Sequence, residues 1–112
     1  MNKDNNIYIQ DIIDCINKIT AYTKNCQSAD FLTNSMMKDA VIRNFEVIGE
    51  AAKKLTPEFR AMHPEIEWKK MAGMRDKLIH DYMGIDYWAV WGVIEQILPN
   101  LRLQLLNIVT PL

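Results

Sequence analysis

Apolar residues recur along this chain at spacings of three and four, the repeat of an amphipathic α-helix. The first helix is predicted to begin at a capping residue, Asp4 or Asn5, and to end near residues 25–28. A short turn of helix is expected next, around Ala29–Leu32. The first apolar stripe consists of Ile9, Ile12, Ile13, Ile16 and Ile19.

A second long helix is predicted from Ser35 to Leu55, and its two sides differ in character. One side is apolar and carries Met37, Val41, Phe45, Ile48, Ala52 and Leu55. The other side is charged and carries Asp39, Arg43, Glu46 and Glu50. This charged stripe has two interpretations: a solvated face with the ion pairs Asp39–Arg43 and Arg43–Glu46, or a row of carboxylates that holds a cation such as Arg75.

The second half of the chain is predicted to be helical as well. Thr56-Pro57 is typical of a helix start, and His63-Pro64 should end that short helix near Met62. His63 is interpreted as a surface or loop residue.

A further helix should run through the 66–82 region and end at Met83-Gly84. Asp86 caps a last apolar stripe that reaches Ile108, with a kink or a stop and restart at Pro99. No segment alternates like a strand, so we expect an all-α bundle of four main helices plus one or two short ones, as one domain over 1–112.

Composition limits the possible functions. The 112 residues carry a net charge of −1, so any RNA binding must come from a local patch. No apolar stretch approaches the roughly 20 residues of a membrane span, and the N-terminus is unlike a signal peptide; a cytoplasmic protein without a membrane partner is expected. Cys15 and Cys26 lack the spacing of a zinc site, so no metal ligands are assigned.

The candidate chemistry lies in the stretch from Arg75 to Tyr82, which contains one of only two histidines, His80. A guanidinium can bind phosphate, and an imidazole can transfer a proton near neutral pH. Arg75 and His80 are about 140° apart on an ideal helix. They therefore need a distorted helix, a curled arginine side chain or a cleft between two copies of the chain.

A two-fold homodimer cleft with two arginines and two histidines would suit cleavage of RNA by its own 2′-hydroxyl. One neutral histidine would take the 2′ proton, and a protonated one would donate to the leaving 5′ oxygen. The products would be a 2′,3′-cyclic phosphate and a 5′-hydroxyl, and no metal or other cofactor is needed. Asp76 and Asp81 could orient the basic groups or could be solvated helix charges.

The chain resembles the HEPN-domain toxins of the HepT type over nearly its whole length. The resemblance rests on Asp39 to Lys53, which includes Gly-Glu-Ala-Ala-Lys, on His63-Pro-Glu-Ile-Glu-Trp68, and on Gly73-Met-Arg75 through His80-Asp-Tyr82. It implies a helical dimer and a metal-independent ribonuclease toxin with Arg75 and His80 as the catalytic pair.

The same resemblance implies a partner, a minimal nucleotidyltransferase antitoxin that neutralises the toxin by transferring AMP to Tyr82. It also implies that Asp39, Arg43, Glu46 and Glu50 lie around the cleft. Two alternatives stay open: a non-catalytic partner of a nucleotidyltransferase that binds a substrate or nucleotide, and a structural dimeriser in which Arg75 and His80 only pair with carboxylates.

Overall fold

The computed structural model describes residues 4–109, and within that range the chain is helical throughout, with no strand. The seven α-helices are α1 (Asn5–Tyr22), α2 (Ser28–Leu32), α3 (Ser35–Lys54), α4 (Pro57–Met62), α5 (Trp68–His80), α6 (Tyr87–Gln96) and α7 (Leu98–Val109). A short 3₁₀ turn, Tyr82–Gly84, joins α5 to α6. The all-α prediction is confirmed.

Polar caps start four of these helices, and the sequence predicted all of them except Asn34. The side chain of Asp4 accepts a hydrogen bond from the Asn6 amide at 2.9 Å, and Asn34 accepts one from Met37 at 3.0 Å. The side chains of Thr56 and Asp86 cap α4 and α6 in the same way. Such caps satisfy amides that have no partner within the helix and are worth about 1 kcal/mol each.

Helix α3 is the centre of the bundle, with α1 against one side and α5 against another. Its apolar face is buried with the isoleucines of α1 and with Leu101 and Leu105 of α7. The predicted apolar sides of both helices are therefore the observed core. The buried α3 residues of this face are Val41, Phe45, Ile48 and Ala52, with Leu55 just beyond the helix.

Two details differ from the sequence interpretation, and a third agrees with it. Helix α1 ends at Tyr22, short of the predicted 25–28, because Thr23 leaves the helical conformation. The regular part of α5 ends at His80, three residues before Met83, and the chain continues as the 3₁₀ turn. The last apolar stripe forms two helices that meet at Ile97, so the stop and restart is observed. Pro99 is in the first turn of α7, where its missing N–H removes no intrahelical hydrogen bond.

Between residues 4 and 109, no helix combines the length and the apolar character that crossing a bilayer requires.

Candidate active site

The site is built where α5 crosses α3 at Gly49. A Cβ at position 49 would overlap the Cβ of Arg75 and would lie 2.8 Å from the carbonyl oxygen of Met71. Only glycine lets the two helices approach so closely here. Gly49 therefore places the backbone of Arg75 directly beside the charged stripe of α3.

The Arg75 side chain is held by two carboxylates from two different helices. Its Nε forms an ion pair with Oε2 of Glu50 at 3.0 Å, and its Nη1 donates a hydrogen bond to Oδ1 of Asp76 at 3.1 Å. The side chain is 28% exposed. Because a guanidinium has five N–H donors in a fixed fork, these two contacts fix its plane and leave other donors for a ligand.

Asp76 is shared between two cations. Its Oδ1 also accepts from Nζ of Lys53 at 3.0 Å. The hydrogen bond from Lys53, and then the one from Arg75, lowers the pKa of the Asp76 carboxyl below its ordinary value of 3.8. Asp76 is therefore ionised at neutral pH, and its role as an orienting group is favoured over that of a solvated helix charge.

His80 is exposed at the last position of α5. No hydrogen bond or ion pair joins its imidazole to another residue of the 4–109 range. The helix is regular from Trp68 to His80, so distortion does not bring Arg75 and His80 together. The guanidinium is turned towards Glu50 instead, and the two groups leave α5 on different sides.

Tyr82 lies in the 3₁₀ turn, yet its hydroxyl returns to the charged stripe. The hydroxyl donates to Oδ1 of Asp39 at 3.3 Å, and the tyrosine is 53% exposed. The negative charge of Asp39, and then the hydrogen bond to it, raises the pKa of Tyr82 above 10.0. The phenol is therefore neutral at physiological pH and accessible from solvent.

The rest of the predicted site is less closely connected. Arg43 is exposed and forms no ion pair with Asp39 or Glu46, so the pairs expected for a solvated stripe are absent from the described contacts. Glu46 is half-buried. Asp81 is exposed beyond α5, with its carboxylate oxygens folded over Gly84, 2.7 and 2.8 Å from where a Cβ would be.

Two residues of the site were not assigned a role from the sequence. Gly49 was noted only as part of a family pattern, although a glycine inside a strong helix pattern is itself a signal of close backbone approach. Lys53 follows Glu50 by three residues and so lies on the same side of α3. Its partner is Asp76 of α5, a contact that no local spacing predicts.

Within residues 4–109, no group of three or more His, Cys, Asp and Glu side chains is arranged to hold a metal ion.

Comparison with known proteins shows the family of this chain. Residues 12–108 match the family model described as HepT-like, Ribonuclease HepT-like. The chain belongs to the HepT-like ribonuclease family. No solved structure matches it significantly.

Three curated relatives are similar to the chain at family level. One, from Methanocaldococcus jannaschii, is named "Gamma-glutamylcyclotransferase and putative RNase"; it is 43% identical over 112 residues, which cover 100% of this chain and 50% of the relative. The chain therefore spans half the length of that protein. A "Putative RNase" of the same organism is 39% identical over 96% of this chain and 88% of its own length.

The third relative, "Probable ribonuclease HepT" of Thermococcus cleftensis, is 40% identical over 91% of this chain and 93% of its own length. These HepT-like relatives are similar to this chain along nearly all of it, including the α3 and α5 segments that form the candidate site.

Proposed function

We propose that this chain is a metal-independent endoribonuclease, the toxin of a toxin–antitoxin pair, acting through Arg75 and His80 in a homodimer cleft. Membership of the HepT-like ribonuclease family supports the ribonuclease class. The observation that carries the site is the fixed guanidinium of Arg75, bound by Glu50 and Asp76, together with an exposed imidazole at His80.

In the proposed reaction, the 2′-hydroxyl oxygen attacks the adjacent phosphorus, and the bond to the 5′ oxygen breaks. A neutral His80 takes the 2′ proton, and the protonated His80 of the second copy gives a proton to the leaving oxygen. The donors of Arg75 stabilise the charge that grows on the phosphoryl oxygens. A 2′,3′-cyclic phosphate and a 5′-hydroxyl result.

The geometry of α5 supports the proposed homodimer. Within one chain, the guanidinium faces α3 and the imidazole lies on another side of a regular helix. A two-fold axis near α5 would place the His80 of one copy beside the Arg75 of the other. The proposed cleft is therefore completed only by the second copy.

The charge distribution supports RNA as the substrate in spite of the net charge of −1. The segment from Lys53 to Lys77 has seven of the chain's 13 basic residues and only four of its 14 acidic ones. A locally positive segment can bind a phosphate backbone when the average charge of the protein is near neutral.

The first experiment measures RNA cleavage by the purified chain in the presence of EDTA. Cleavage should persist, and His80→Ala should abolish it because the proton-transfer group is lost. His63→Ala is the matched control, since it removes the other histidine and should leave cleavage unchanged. Arg75→Lys should rescue poorly because lysine lacks the planar fork. Undiminished cleavage by the His80→Ala protein would contradict the mechanism.

A second experiment tests whether the site is shared. The parent chain is mixed with an increasing excess of the His80→Ala chain and allowed to exchange subunits. Because the proposed reaction uses the His80 of both copies, each mixed dimer lacks one of the two proton-transfer groups, and cleavage per parent chain should fall as the excess grows. A site confined to one subunit would leave cleavage per parent chain unchanged.

We further propose that a minimal nucleotidyltransferase antitoxin neutralises the chain by transferring AMP to Tyr82. The exposed phenol supports this, as does Asp39, which can accept its proton. The phenol oxygen would attack the α-phosphorus of ATP, and pyrophosphate would leave. The added phosphate would place negative charge and bulk beside the cleft and exclude RNA.

Mass spectrometry after incubation with ATP, Mg²⁺ and the antitoxin tests this transfer. The parent chain should gain one AMP, and Tyr82→Phe should gain none. Tyr22→Phe is a suitable control, because Tyr22 is also exposed but lies at the end of α1. An equal mass gain on Tyr82→Phe would indicate another acceptor.

The alternative is a non-catalytic module that presents a nucleotide to its nucleotidyltransferase partner. The near-neutral net charge favours it over general RNA coating. Calorimetric titration separates the two: tight ATP binding without any RNA cleavage would support the module and contradict the ribonuclease.

A further inference from the structure

Lys53 and Arg75 lie on different helices but share one carboxylate oxygen. Nζ of Lys53 and Nη1 of Arg75 are 3.0 and 3.1 Å from Oδ1 of Asp76. The two cationic nitrogens can therefore be no more than about 6 Å apart. Like charges at that distance repel each other, and the carboxylate of Asp76 between them offsets that repulsion.

The cluster retains positive charge after its ion pairs are counted. Glu50 forms an ion pair with Arg75 at 3.0 Å, and Nζ of Lys54 is 4.0 Å from the same carboxylate. Three cations thus face two carboxylates, Glu50 and Asp76. Because Lys53 and Asp76 are 42% and 46% exposed, an anion from solvent can reach this excess charge.

The Lys53–Asp76 ion pair contributes little to the free energy of folding, so stabilisation of the fold does not explain it. Exposed ion pairs typically contribute between about 0 and 1 kcal/mol, because ordering two long side chains offsets the attraction. What the pair does achieve is to hold a second cation beside Arg75 at a defined distance. A lysine suits that purpose because its ammonium is a compact charge that can exchange partners.

We propose that Lys53 and Arg75 form a two-cation phosphate subsite, bridged by Asp76, in which Lys53 binds the phosphodiester next to the one that is cut. The inference rests on the proposed ribonuclease function and adds a substrate-binding residue to it. Lys53 acts in RNA binding, while Arg75 contacts the reacting phosphate. Asp76 is a positioning residue that keeps the two cations side by side.

The test is the salt dependence of RNA binding. A fluorescent single-stranded RNA oligomer is titrated by anisotropy with the His80→Ala protein, which does not cleave it, over a series of salt concentrations. Introducing Lys53→Ala into the His80→Ala protein should weaken RNA binding at low salt. It should also make the negative slope of log K against log salt shallower by about 0.7, the value for one phosphate contact on a single strand. Lys53→Arg should restore the slope because it restores the charge.

Lys18→Ala is the matched control, because it removes one exposed lysine from the C-terminal part of α1 that forms no described ion pair with Glu50 or Asp76. Its slope should equal that of the parent. Lys53→Gln, which keeps most of the side-chain stem, should behave like Lys53→Ala, and thermal melting should show that every variant is folded.

The outcomes separate the inference from the function on which it rests. RNA binding by the His80→Ala protein with an unchanged slope in Lys53→Ala would overturn the subsite and leave the ribonuclease proposal standing. Failure of the His80→Ala protein to bind RNA at any salt concentration would overturn both. A slope reduced equally by Lys18→Ala would show that only overall charge matters, which also overturns the subsite.

Discussion

The two sides of α3 show two different ways in which one helix contributes to a protein. On the apolar side, Val41, Phe45, Ile48 and Ala52 are at most 4% exposed and pack without directional contacts. On the charged side, the side chains of Glu50 and Lys53 remain more than 40% exposed and form ion pairs with particular atoms of α5. The first side holds the bundle together, and the second places charged groups at the surface beside α5.

The difference has a physical cause. Burial of apolar surface contributes roughly 25 cal/mol per Å² whatever the orientation of the groups, so many arrangements of the same side chains are nearly as stable. Hydrogen bonds and ion pairs depend on distance and angle, and exposed ones add little to stability. Substitutions on the two sides should therefore affect different properties, namely stability on one and activity on the other.

Phe45→Ala should produce the largest change in stability. Truncating a buried phenylalanine costs about 3–5 kcal/mol. We expect the lower end, because Phe45 already borders an apolar cavity of about 410 Å³ between α3, α5 and α7. Urea denaturation measures the loss. A loss below 1 kcal/mol would mean that this side of α3 is not the core.

Gly49→Ala should produce the next largest effect, because the new methyl group has no space between α3 and α5. Overpacking typically costs about 1–3 kcal/mol, partly offset by the roughly 1 kcal/mol that alanine gains over glycine in a helix. Displacement of α5 should also loosen the contact between Glu50 and Arg75. RNA cleavage should therefore fall by more than the loss of stability explains.

Gly73→Ala is the matched control for that substitution. Gly73 is exposed within α5, and a Cβ there would meet nothing within 4 Å. The same change should therefore stabilise the protein by about 0.5–1 kcal/mol. Thermal melting of both alanine variants tests the comparison; destabilisation of similar size at both positions would contradict the close approach at Gly49.

Asp76→Asn should have the smallest effect on stability, and the size of that effect should depend on pH. The folded-state pKa of Asp76 is lowered, so its contribution is present above the unfolded-state value near 3.8 and is lost as pH falls through the folded-state value. The parent should be slightly more stable than the variant at neutral pH, and the difference should vanish in acid. Urea midpoints measured across the acid range, with Asp81→Asn as control, test this.

Most of the fold could be predicted from periodicity and capping residues. The isoleucine stripe of α1 and the apolar side of α3 are buried as predicted, because burial depends mainly on which residues share a helix face. The end of α5 was placed too late, since Asp81 leaves the helical conformation and Tyr82 enters a 3₁₀ turn. Local propensity does not resolve such a change within a single turn.

The members of the candidate site could be proposed from the sequence, whereas their contacts could not. Arg75, His80 and Tyr82 follow from residue type and family resemblance, and the interpretation of the charged stripe as a holder of Arg75 is supported by the Glu50 contact. The pairing of Lys53 with Asp76 joins residues 23 positions apart and was not foreseen. Such a contact depends on how deeply α5 approaches α3.

By itself, the sequence determined which faces of the helices are apolar, where caps begin them, and which side chains can do phosphate chemistry, since each of these depends on residue type and local spacing. Only the tertiary structure decided which carboxylate meets which cation. Gly49 sets the separation between α3 and α5. A polar contact is lost beyond about 3.5 Å, and the pattern of apolar and polar residues does not determine that separation.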